Sequence, residues 1–317
     1  MGTIWTMGEL LVEIMRDKVG KGFEEMGVFL GPFPSGAPAI FIDTVVRLGQ
    51  NGSIIGGIGK DGFGLNVLNR LKNHGVDCSY INVSEDKTTA VAFVTYFEDS
   101  SRKYIFYIDN TAAVEINISE LDKISSYPDY FHIMGCSLMI NEEFRRSIFK
   151  VLEIFRTKGT KISFDPNIRI ELLKNASLDE IINPILKNCS IFFPGEKELL
   201  LLTKEKEIKL AVSKLFNNID DLEIIVLKKG KDGSDIYTRD KDIAIKPFNI
   251  TEKDPTGAGD CFDAGFLCGL LEKKSLYDCG MIASAAGALN ASAFGPMEGK
   301  ISPKSVKELI KYGRAEL

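Results

Sequence analysis

Histidine is scarce in this chain, where only His74 and His132 occur among 317 residues. A histidine-based metal centre or a Ser-His-Asp triad therefore has almost no residues from which to be built. The six cysteines are scattered, and no two have the two-residue spacing of a zinc or redox motif, so we expect buried, reduced thiols. His74 precedes Gly75 at an expected helix end, where the dipole suits a basic group.

Long apolar runs and an excess of basic residues are also absent. No run of about 18 apolar residues could span a bilayer, and the N-terminus lacks the basic start and cleavage site of a signal peptide. The 39 basic and 44 acidic residues give a formal net charge of -5, without a Lys/Arg-rich block. We therefore expect a cytoplasmic protein that has neither nucleic acid nor a membrane among its partners.

The order of apolar segments indicates the fold class. From about residue 50 onward, apolar runs alternate with amphipathic stretches, which is the pattern of strands buried on both faces by crossover helices. The sequence predicts an α/β fold with a doubly wound, mostly parallel sheet flanked by helices. We expect strands near residues 1–11, 53–56, 130–134, 161–164, 190–193, 223–227 and 243–250, and the first helices near residues 40–48 and 63–73.

Two β-rich runs, residues 88–97 and 102–108, break this rhythm because only the polar tetrad 98–101 separates them. This spacing predicts a hairpin. Together with residues 21–33 it would form a small sheet that acts as a lid. We expect a single domain over residues 1–317, with the lid formed by about 10–33 and 88–110.

The first run of this hairpin is apolar on both faces. Ala92 and Val94 alternate with Val91 and Phe93. A thin sheet cannot bury both faces by itself. We therefore predict a homodimer that forms through the lid.

The strongest chemical signal is residues 254–260 (Asp-Pro-Thr-Gly-Ala-Gly-Asp), which precede the apolar stretch 261–271. Small residues let the backbone approach a ligand, and a helix start offers N–H groups to an anion. The turn Gly257, Ala258 and Gly259 is therefore a candidate phosphate site. An acid at its end would repel phosphate but can accept the proton of an attacking hydroxyl, so Asp260 is the candidate base. The alternative is a glycine-rich turn that Asp260 merely caps.

These seven residues resemble the C-terminal signature of the ribokinase-like, or PfkB, family of sugar kinases, apart from Pro255, where Thr is usual. The resemblance implies a ribokinase-like fold and transfer of the γ-phosphoryl group of ATP to a sugar hydroxyl. It implies that Asp260 is the base and that Gly257 to Gly259 hold the phosphoryl group. It also implies that Asp254 helps to bind a monovalent cation such as K⁺.

Two N-terminal stretches extend the resemblance to the sugar side. Residues 8–13 (Gly-Glu-Leu-Leu-Val-Glu) are similar to the family's first strand and imply that Glu13 binds sugar hydroxyls. Residues 35–39 (Ser-Gly-Ala-Pro-Ala) resemble the N-terminal signature and place Gly36 and Ala37 at the sugar. Ile40 replaces an Asn that contacts the sugar in many relatives, so the hydroxyls that are recognised are not defined.

Two motifs in the middle of the chain extend it further. Residues 164–169 (Phe-Asp-Pro-Asn-Ile-Arg) resemble fructokinases and ketodeoxygluconate kinases, which implies that Asn167 and Arg169 lie near the sugar or the transferred phosphate. Residues 194–198 (Pro-Gly-Glu-Lys-Glu) resemble a motif that organises Mg²⁺, with Glu198 matching and Gly195 in place of Asn. A divalent cation is expected because phosphoryl transfer from ATP needs one. The alternative for Glu198 is a solvated helix residue.

The nucleotide is expected against two other segments. Residues 228–233 (Lys-Lys-Gly-Lys-Asp-Gly) are similar to the family's glycine turn under ATP, which implies that Lys228, Gly230 and Gly233 contribute. Residues 283–293 are similar to the helix beside the adenine, with Asn290 facing the same region. The alternative for the lysine-rich turn is a solvated loop.

The substrate class is predicted from Asp109. Ketodeoxygluconate kinases have an Arg at the end of the second lid strand that clamps the substrate carboxylate, whereas this chain aligns Asp109 there. Its charge would repel a sugar acid. We predict a neutral ketose such as fructose or tagatose, phosphorylated on a primary hydroxyl. The alternatives are 2-keto-3-deoxygluconate as the substrate and a solvated position for Asp109.

The sequence leaves two other functional classes as alternatives. Residues 57–62 fit Gly-x-Gly-x-x-Gly, with Asp77 further on, which alone would indicate an NAD-dependent oxidoreductase. However, Asp61 would direct negative charge at the pyrophosphate, and sugar kinases have a similar turn on the sugar side. A non-catalytic sugar-sensing protein on the same scaffold is the other alternative. The presence of Asp260 and residues 257–259 favours catalysis.

Overall fold

The computed structural model describes residues 2–99, 101–119, 121–173 and 177–313. Ser100 of the polar tetrad and both ends of the predicted domain, Met1 and Leu317, lie outside these residues. The strands are β1 Thr3–Met7, β2 Leu11–Arg16, β3 Phe29–Ser35, β4 Asn51–Gly59, β5 Ile81–Ser84, β6 Ala90–Tyr96, β7 Arg102–Tyr107, β8 Tyr130–Met134, β9 Lys161–Asp165, β10 Ile191–Phe192, β11 Ile224–Lys228, β12 Ser234–Tyr237 and β13 Asp242–Ile245. The α-helices are α1 Ala37–Arg47, α2 Gly62–His74, α3 Gly135–Met139, α4 Glu142–Thr157, α5 Leu178–Leu186, α6 Glu196–Thr203, α7 Ile208–Asn218, α8 Ala258–Leu271, α9 Leu276–Ala291 and α10 Pro303–Tyr312.

The main sheet has nine strands in the order β13-β12-β11-β10-β9-β8-β1-β4-β5. Its pairs are parallel except for β11 with β12 and β12 with β13, which are antiparallel. The predicted α/β fold with a mostly parallel sheet is confirmed. Parallel strands place their carboxyl ends at one edge of the sheet, and ligands of such sheets bind there.

Two predicted strand boundaries are wrong. The strand expected at 243–250 ends at Ile245, because Pro247 has no N–H for a ladder hydrogen bond. The expected strand over residues 1–11 is divided into β1, in the main sheet, and β2, in a second sheet.

Helix α8 is apolar apart from Asp260 and Asp263, and it is buried from Asp260 to Gly269. It packs against α9 so closely that a Cβ on Gly265 would lie 2.9 Å from the Cα of Ala283. Because glycine removes this obstacle, the two helices pack at close range. The first turn of α8 is thereby fixed relative to the sheet.

The end of α2 and the cysteines can also be compared with the sequence predictions. Helix α2 ends at His74, and Gly75 follows in the left-handed region with φ 95°. His74 Nδ1 lies 2.6 Å from Asp43 Oδ1, which holds the helix end against α1. All six cysteines are free thiols. In the part of the chain that the structure describes, no helix is both long and apolar enough to cross a bilayer.

Trp5 is the single tryptophan of the chain and lies on β1. Its side chain is 7% exposed. Its ring centroid lies 4.7 Å from that of Tyr80 and 5.5 Å from that of Phe155, whose ring meets it edge-on. The contact with Phe155 packs β1 against α4.

A second, small sheet has the order β3-β2-β6-β7. The predicted hairpin is confirmed as β6 and β7, in which Ala92 pairs with Phe106 and Phe93 with Ile105. The segment 21–33 was expected to contribute a strand, but a strand begins only at Phe29, and β2 occupies the centre of the sheet.

The two faces of this sheet differ. Tyr104 and Phe106 line a cavity on the inner face. Ile105 and Tyr107 point the other way and are 39% and 62% exposed. The sheet therefore covers a cavity on one side and leaves apolar groups uncovered on the other.

Candidate active site

A cavity lies between the carboxyl edge of the main sheet and the inner face of the small sheet. Its lining includes predicted residues from six separate motifs: Glu13, Gly36, Ala37, Asn167, Arg169, Glu198, Lys228, Gly257, Gly259 and Asp260. A second, larger cavity adjoins it, with about 720 Å³ against about 230 Å³. Distant stretches of the sequence thus meet at one site.

Asp260 lies in the first turn of α8 and is 7% exposed. Asn167 Nδ2 donates a hydrogen bond to Asp260 Oδ1 at 3.2 Å. Burial, followed by the charge of Asp165, raises the pKa of Asp260 to about 7, although Lys228 and Arg169 oppose this. The helix cap is Gly257, so the alternative of Asp260 as a cap is wrong. A carboxylate with a raised pKa is suited to accepting a proton.

The turn before Asp260 depends on glycine. Gly257 has φ 77°, and a Cβ there would lie 2.5 Å from the carbonyl oxygen of Pro296. Only glycine adopts this conformation without strain at so crowded a point. The Ala258 N–H donates to the Pro255 carbonyl at 3.2 Å. That amide is therefore engaged within the turn, in contrast to the role expected for it.

Glu13 lies on β2 and is 6% exposed. Ser35 Oγ donates to Glu13 Oε1 at 2.7 Å, whereas Glu13 Oε2 has no hydrogen-bond partner among the described residues. Burial raises the pKa of Glu13 to about 7, although the Ser35 bond opposes this. A buried oxygen that lacks a partner is suited to a ligand hydroxyl.

Arg169 and Asn167 follow strand β9. The Arg169 guanidinium carbon lies 5.9 Å from the centre of the Tyr104 ring, and both residues line the cavity. Asn167 has φ 36°, and its amide holds Asp260, as described above. Asn167 therefore orients the Asp260 carboxylate, in addition to facing the cavity.

Asp109 was predicted to face the substrate, and this placement is wrong. Asn141 Nδ2 donates to Asp109 Oδ1 at 3.3 Å, and Asp109 is not among the described residues that line the cavity. The alignment was displaced along the hairpin, where only every second residue points inward. The charged residue of β7 that lines the cavity is Arg102, whose Nη1 donates to Thr256 Oγ1 at 3.3 Å.

Glu9 and Tyr104 also line the cavity, although neither was predicted from the sequence. Glu9 lines the cavity, and the Ser137 hydroxyl and the Cys136 thiol donate to its carboxylate. Burial raises its pKa. Alternation within the hairpin could have identified Arg102 and Tyr104, because side chains of a strand alternate between its faces and the exposed positions Lys103 and Ile105 define the outer face.

The two predicted metal residues are engaged by protein donors. Glu198 accepts hydrogen bonds from Ile168 N and Gly195 N, both at 2.8 Å, so it is not the solvated residue of the alternative. No cluster of three or more His, Cys, Asp or Glu side chains with metal-binding geometry occurs within the described ranges. This donor set fits Mg²⁺ that is held mainly by phosphates and water, with one protein carboxylate nearby.

Asp254 is 1% exposed and lies below the small sheet. Its Oδ1 accepts from Tyr96 Oη and Thr256 N, both at 3.0 Å, and its Oδ2 accepts from Gly295 N at 3.0 Å. Tyr96 thus ties the small sheet to the loop that precedes the Gly257 turn.

The second cavity is lined by the turn after β11 and by small residues of α9. Gly230 and Gly233 contribute from the turn, and Gly287, Ala288 and Ala291 contribute from the helix. This agrees with the expected location of a nucleotide between these segments.

Asn290, however, does not face this cavity. It is fully buried, and its Nδ2 donates to the carbonyls of Thr256, at 2.8 Å, and Pro296, at 3.0 Å. Asn290 therefore shapes the Gly257 turn from behind, and its predicted contact with the nucleotide is wrong.

The dinucleotide alternative also fails on geometry. Residues 57–62 end β4 and begin α2, where Asp61 caps the helix through Gly64 N at 2.8 Å. Asp61 also accepts from Thr89 N at 2.7 Å. A carboxylate occupies the helix end that a pyrophosphate would need.

Fold and site together define a phosphotransferase of the ribokinase-like type. The sequence profile of "pfkB family carbohydrate kinase" matches residues 33–303. The chain therefore belongs to the pfkB family of carbohydrate kinases, and it is an ATP-dependent sugar kinase.

Named relatives agree with this family. The chain is 28% identical over 321 residues to probable fructokinase-4 of Arabidopsis thaliana, covering 97% of this chain and 96% of the relative. It is 30% identical over 282 residues to fructokinase-2 of Solanum lycopersicum, covering 87% and 84%.

Solved structures show the same fold. An E. coli protein described as Ribokinase II, in complex with ATP and Mg²⁺, superposes with a TM-score of 0.89 at 34% identity, covering 98% of this chain and 99% of that one. A Vibrio cholerae fructokinase with bound fructose, ADP and calcium gives a TM-score of 0.84 at 22% identity, covering 98% and 99%, and supports the fold alone.

Proposed function

We propose that this kinase transfers the γ-phosphoryl group of ATP to a primary hydroxyl of fructose or a related neutral ketose such as tagatose, with Asp260 as the base. The observation that carries the proposal is the position of Asp260. Its buried carboxylate stands beside Gly259, and Gly259 lines both cavities. A hydroxyl in the smaller cavity and a phosphate in the larger one would meet there.

Each side of the site has a defined task in this proposal. Asp260 takes the proton of the attacking hydroxyl, and Asn167 fixes its orientation. Glu13, Gly36 and Ala37 bind the sugar, while Arg169 stabilises charge at the reacting end. The N–H groups at the start of α8, from Gly257 and Gly259, face the phosphoryl group.

The nucleotide side is proposed at the larger cavity. Lys228, Gly230, Gly233 and Gly259 would contact ATP there. Mg²⁺ supplies charge neutralisation between the phosphates when bound, and Glu198 is the carboxylate that would hold its water shell. Asp254 is proposed to help bind a K⁺ ion, because its carboxylate already orients the loop of residues 254–257.

The choice of fructose is supported by the named relatives, which are fructokinases. The predicted repulsion between Asp109 and a sugar acid gives no further support, because Asp109 is not among the described residues that line the cavity. One observation favours 2-keto-3-deoxygluconate as a second candidate. Arg102 and Arg169 both line the cavity, and two guanidinium groups could bind a carboxylate.

The experiment that tests this choice compares kcat/KM for fructose, tagatose and 2-keto-3-deoxygluconate at fixed ATP and Mg²⁺. We expect fructose or tagatose to be preferred. The variant Arg102→Gln provides the control, because it should reduce only the reaction of a sugar acid. A clear preference for the acid, lost in this variant, would replace the ketose proposal.

We further propose a homodimer formed through the outer face of the small sheet. Phe93, Ile105 and Tyr107 lie on that face, and the side chains of Ile105 and Tyr107 are exposed there. A cytoplasmic location is also proposed, and the free thiols support it because reducing compartments preserve thiols.

A further inference from the structure

Lys228 stands at the junction of the two cavities. Only Lys228, Pro255 and Gly259, among the described residues, line both of them. A Cβ on Gly259 would lie 3.8 Å from Lys228 Nζ. The ammonium group is therefore next to the backbone at the start of α8, where the proposed phosphoryl group passes.

Two buried carboxyl groups hold this ammonium. Lys228 Nζ donates to Asp165 Oδ2 at 2.7 Å and lies 3.2 Å from Asp263 Oδ2. Asp165 ends strand β9, and Asp263 lies one turn after Asp260 on α8. Asp263 Oδ1 also lies 3.3 Å from Lys228 Nζ. Because the two Asp263 oxygens are almost equally distant, they can share one N–H in a bifurcated hydrogen bond, and the third N–H of the ammonium can then point towards the junction.

The charges around Lys228 favour a fixed cation. Burial would raise the pKa of Asp165, but the Lys228 charge and the hydrogen bonds from Asp263 and Lys228 together keep that pKa below its usual range. Burial raises the pKa of Asp263, and its hydrogen bond to Asp165 adds to this. Burial lowers the pKa of His132 to about 3, so His132, 3.9 Å from Asp263, is neutral. Of the two acids, Asp165 is therefore the one that more readily carries the charge that pairs with the Lys228 ammonium.

We propose that Lys228 is a catalytic residue that contacts the transferred phosphoryl group, and that Asp263 is a positioning residue that holds its ammonium at the junction. This inference deepens the proposed function and depends on it. A fixed cation in a water-poor site stabilises the negative charge that spreads over the phosphoryl oxygens during transfer.

A structural ion pair is the competing explanation for this lysine. A purely structural ion pair would not need to border both cavities. The next residue, Lys229, provides a comparison. Lys229 Nζ pairs with Asp235 at 2.8 Å, and Lys229 is not among the described residues that line either cavity. Comparing variants of these two adjacent lysines therefore distinguishes a catalytic role from a structural one.

The test compares Lys228→Met with Lys229→Met. For Lys228→Met we expect kcat to fall by about 100- to 1,000-fold, with the KM for fructose nearly unchanged. Lys229→Met should retain wild-type kcat. Calorimetry with a non-hydrolysable ATP analogue and with ADP gives a second readout. We expect Lys228→Met to weaken binding of the analogue by about 10- to 100-fold and to leave ADP binding nearly unchanged, because ADP lacks the contacted phosphate.

Asp263 is tested by rescue. Asp263→Ala should reduce kcat while leaving ADP binding intact, and Asp263→Asn should restore most of kcat because the amide can still donate to Asp165. Should Lys228→Met fail to fold, Lys228→Gln replaces it with the same criteria. Equal losses of ADP and analogue affinity, or an unchanged kcat, would overturn the inference.

These outcomes are distinct from failure of the proposed function. If Asp260→Asn keeps high turnover, the proposed chemistry fails as a whole. If Asp260→Asn is inactive while Lys228→Met has normal kcat, only the inference about Lys228 fails.

Discussion

Asp260 combines deep burial with a hydrogen bond from Asn167. Replacing it with Asn preserves the shape of the side chain but removes the ability to accept a proton. We expect Asp260→Asn to lower kcat by about 100- to 10,000-fold, with an unchanged thermal midpoint. Turnover above about a tenth of the wild-type value would show that another group is the base.

The raised pKa of Asp260 leads to a pH prediction. Since the pKa is about 7, the group is protonated and inactive below that pH and ionised above it. We expect kcat/KM for the sugar to fall tenfold per pH unit below about pH 7.

The charged groups around Asp260 determine in which direction a variant shifts its pKa. Lys228 and Arg169 lower its pKa, whereas Asp165 and Glu9 raise it. Lys228→Met should therefore move the acid limb to higher pH, and Lys229→Met should leave it in place. A limb that stays near the usual pKa of an aspartate in the wild-type enzyme would contradict the assignment.

Individual residues differed in how far the sequence could predict them. Asp260 and Gly257 belong to a contiguous motif whose local geometry fixes their position. Asn290 does not, because the direction of its side chain is set by the carbonyl of Thr256, which is distant in sequence. Asp109 was misplaced by a hairpin register, which motif spacing does not define.

The small sheet is the element with an uncovered apolar face. We expect a wild-type dimer and a monomeric Ile105→Lys variant, because the added charge would be buried between two outer faces. Light scattering at micromolar concentration measures both.

Leu201→Lys is the matched control for this change, since Leu201 is 55% exposed on α6. It should remain dimeric. If the wild-type protein is monomeric under these conditions, the proposed interface is wrong.

Tyr96 joins this sheet to the loop that precedes α8. Tyr96→Phe removes the hydroxyl that bonds to Asp254 and Thr256 and leaves the Asp254 carboxylate with one donor fewer. We expect the free energy of unfolding to fall by about 1–3 kcal/mol in urea titrations.

Tyr107→Phe serves as the comparison, because Tyr107 is 62% exposed. It should change the free energy of unfolding by no more than about 0.5 kcal/mol. Equal effects of the two changes would show that the Tyr96 hydroxyl does not hold the sheet.

At the scale of elements, the hairpin was predictable because its two runs are adjacent in sequence. The division of β1 from β2 was not. Residues 8–10 (Gly-Glu-Leu) are buried, so the chain passes from one sheet to the other without an exposed turn that would mark the change.

For the whole molecule, alternation of strands and helices predicted the parallel sheet. The antiparallel edge formed by β12 and β13 was not predicted, because its strands are only four residues each. Four of the six motifs that meet in the cavity are brought there by the main sheet, since parallel strands end at the same edge. The motifs of Glu13 and Gly36 are brought there by β2 and β3 of the small sheet.

The place of Trp5 has a practical consequence for spectroscopy. Its indole is 7% exposed within the core and is not among the described residues that line either cavity. The emission of the native protein should therefore be blue-shifted and should not respond to sugar or nucleotide. It should shift to the red only when β1 separates from Phe155, so tryptophan fluorescence reports loss of the main sheet, while ligand titrations need another signal.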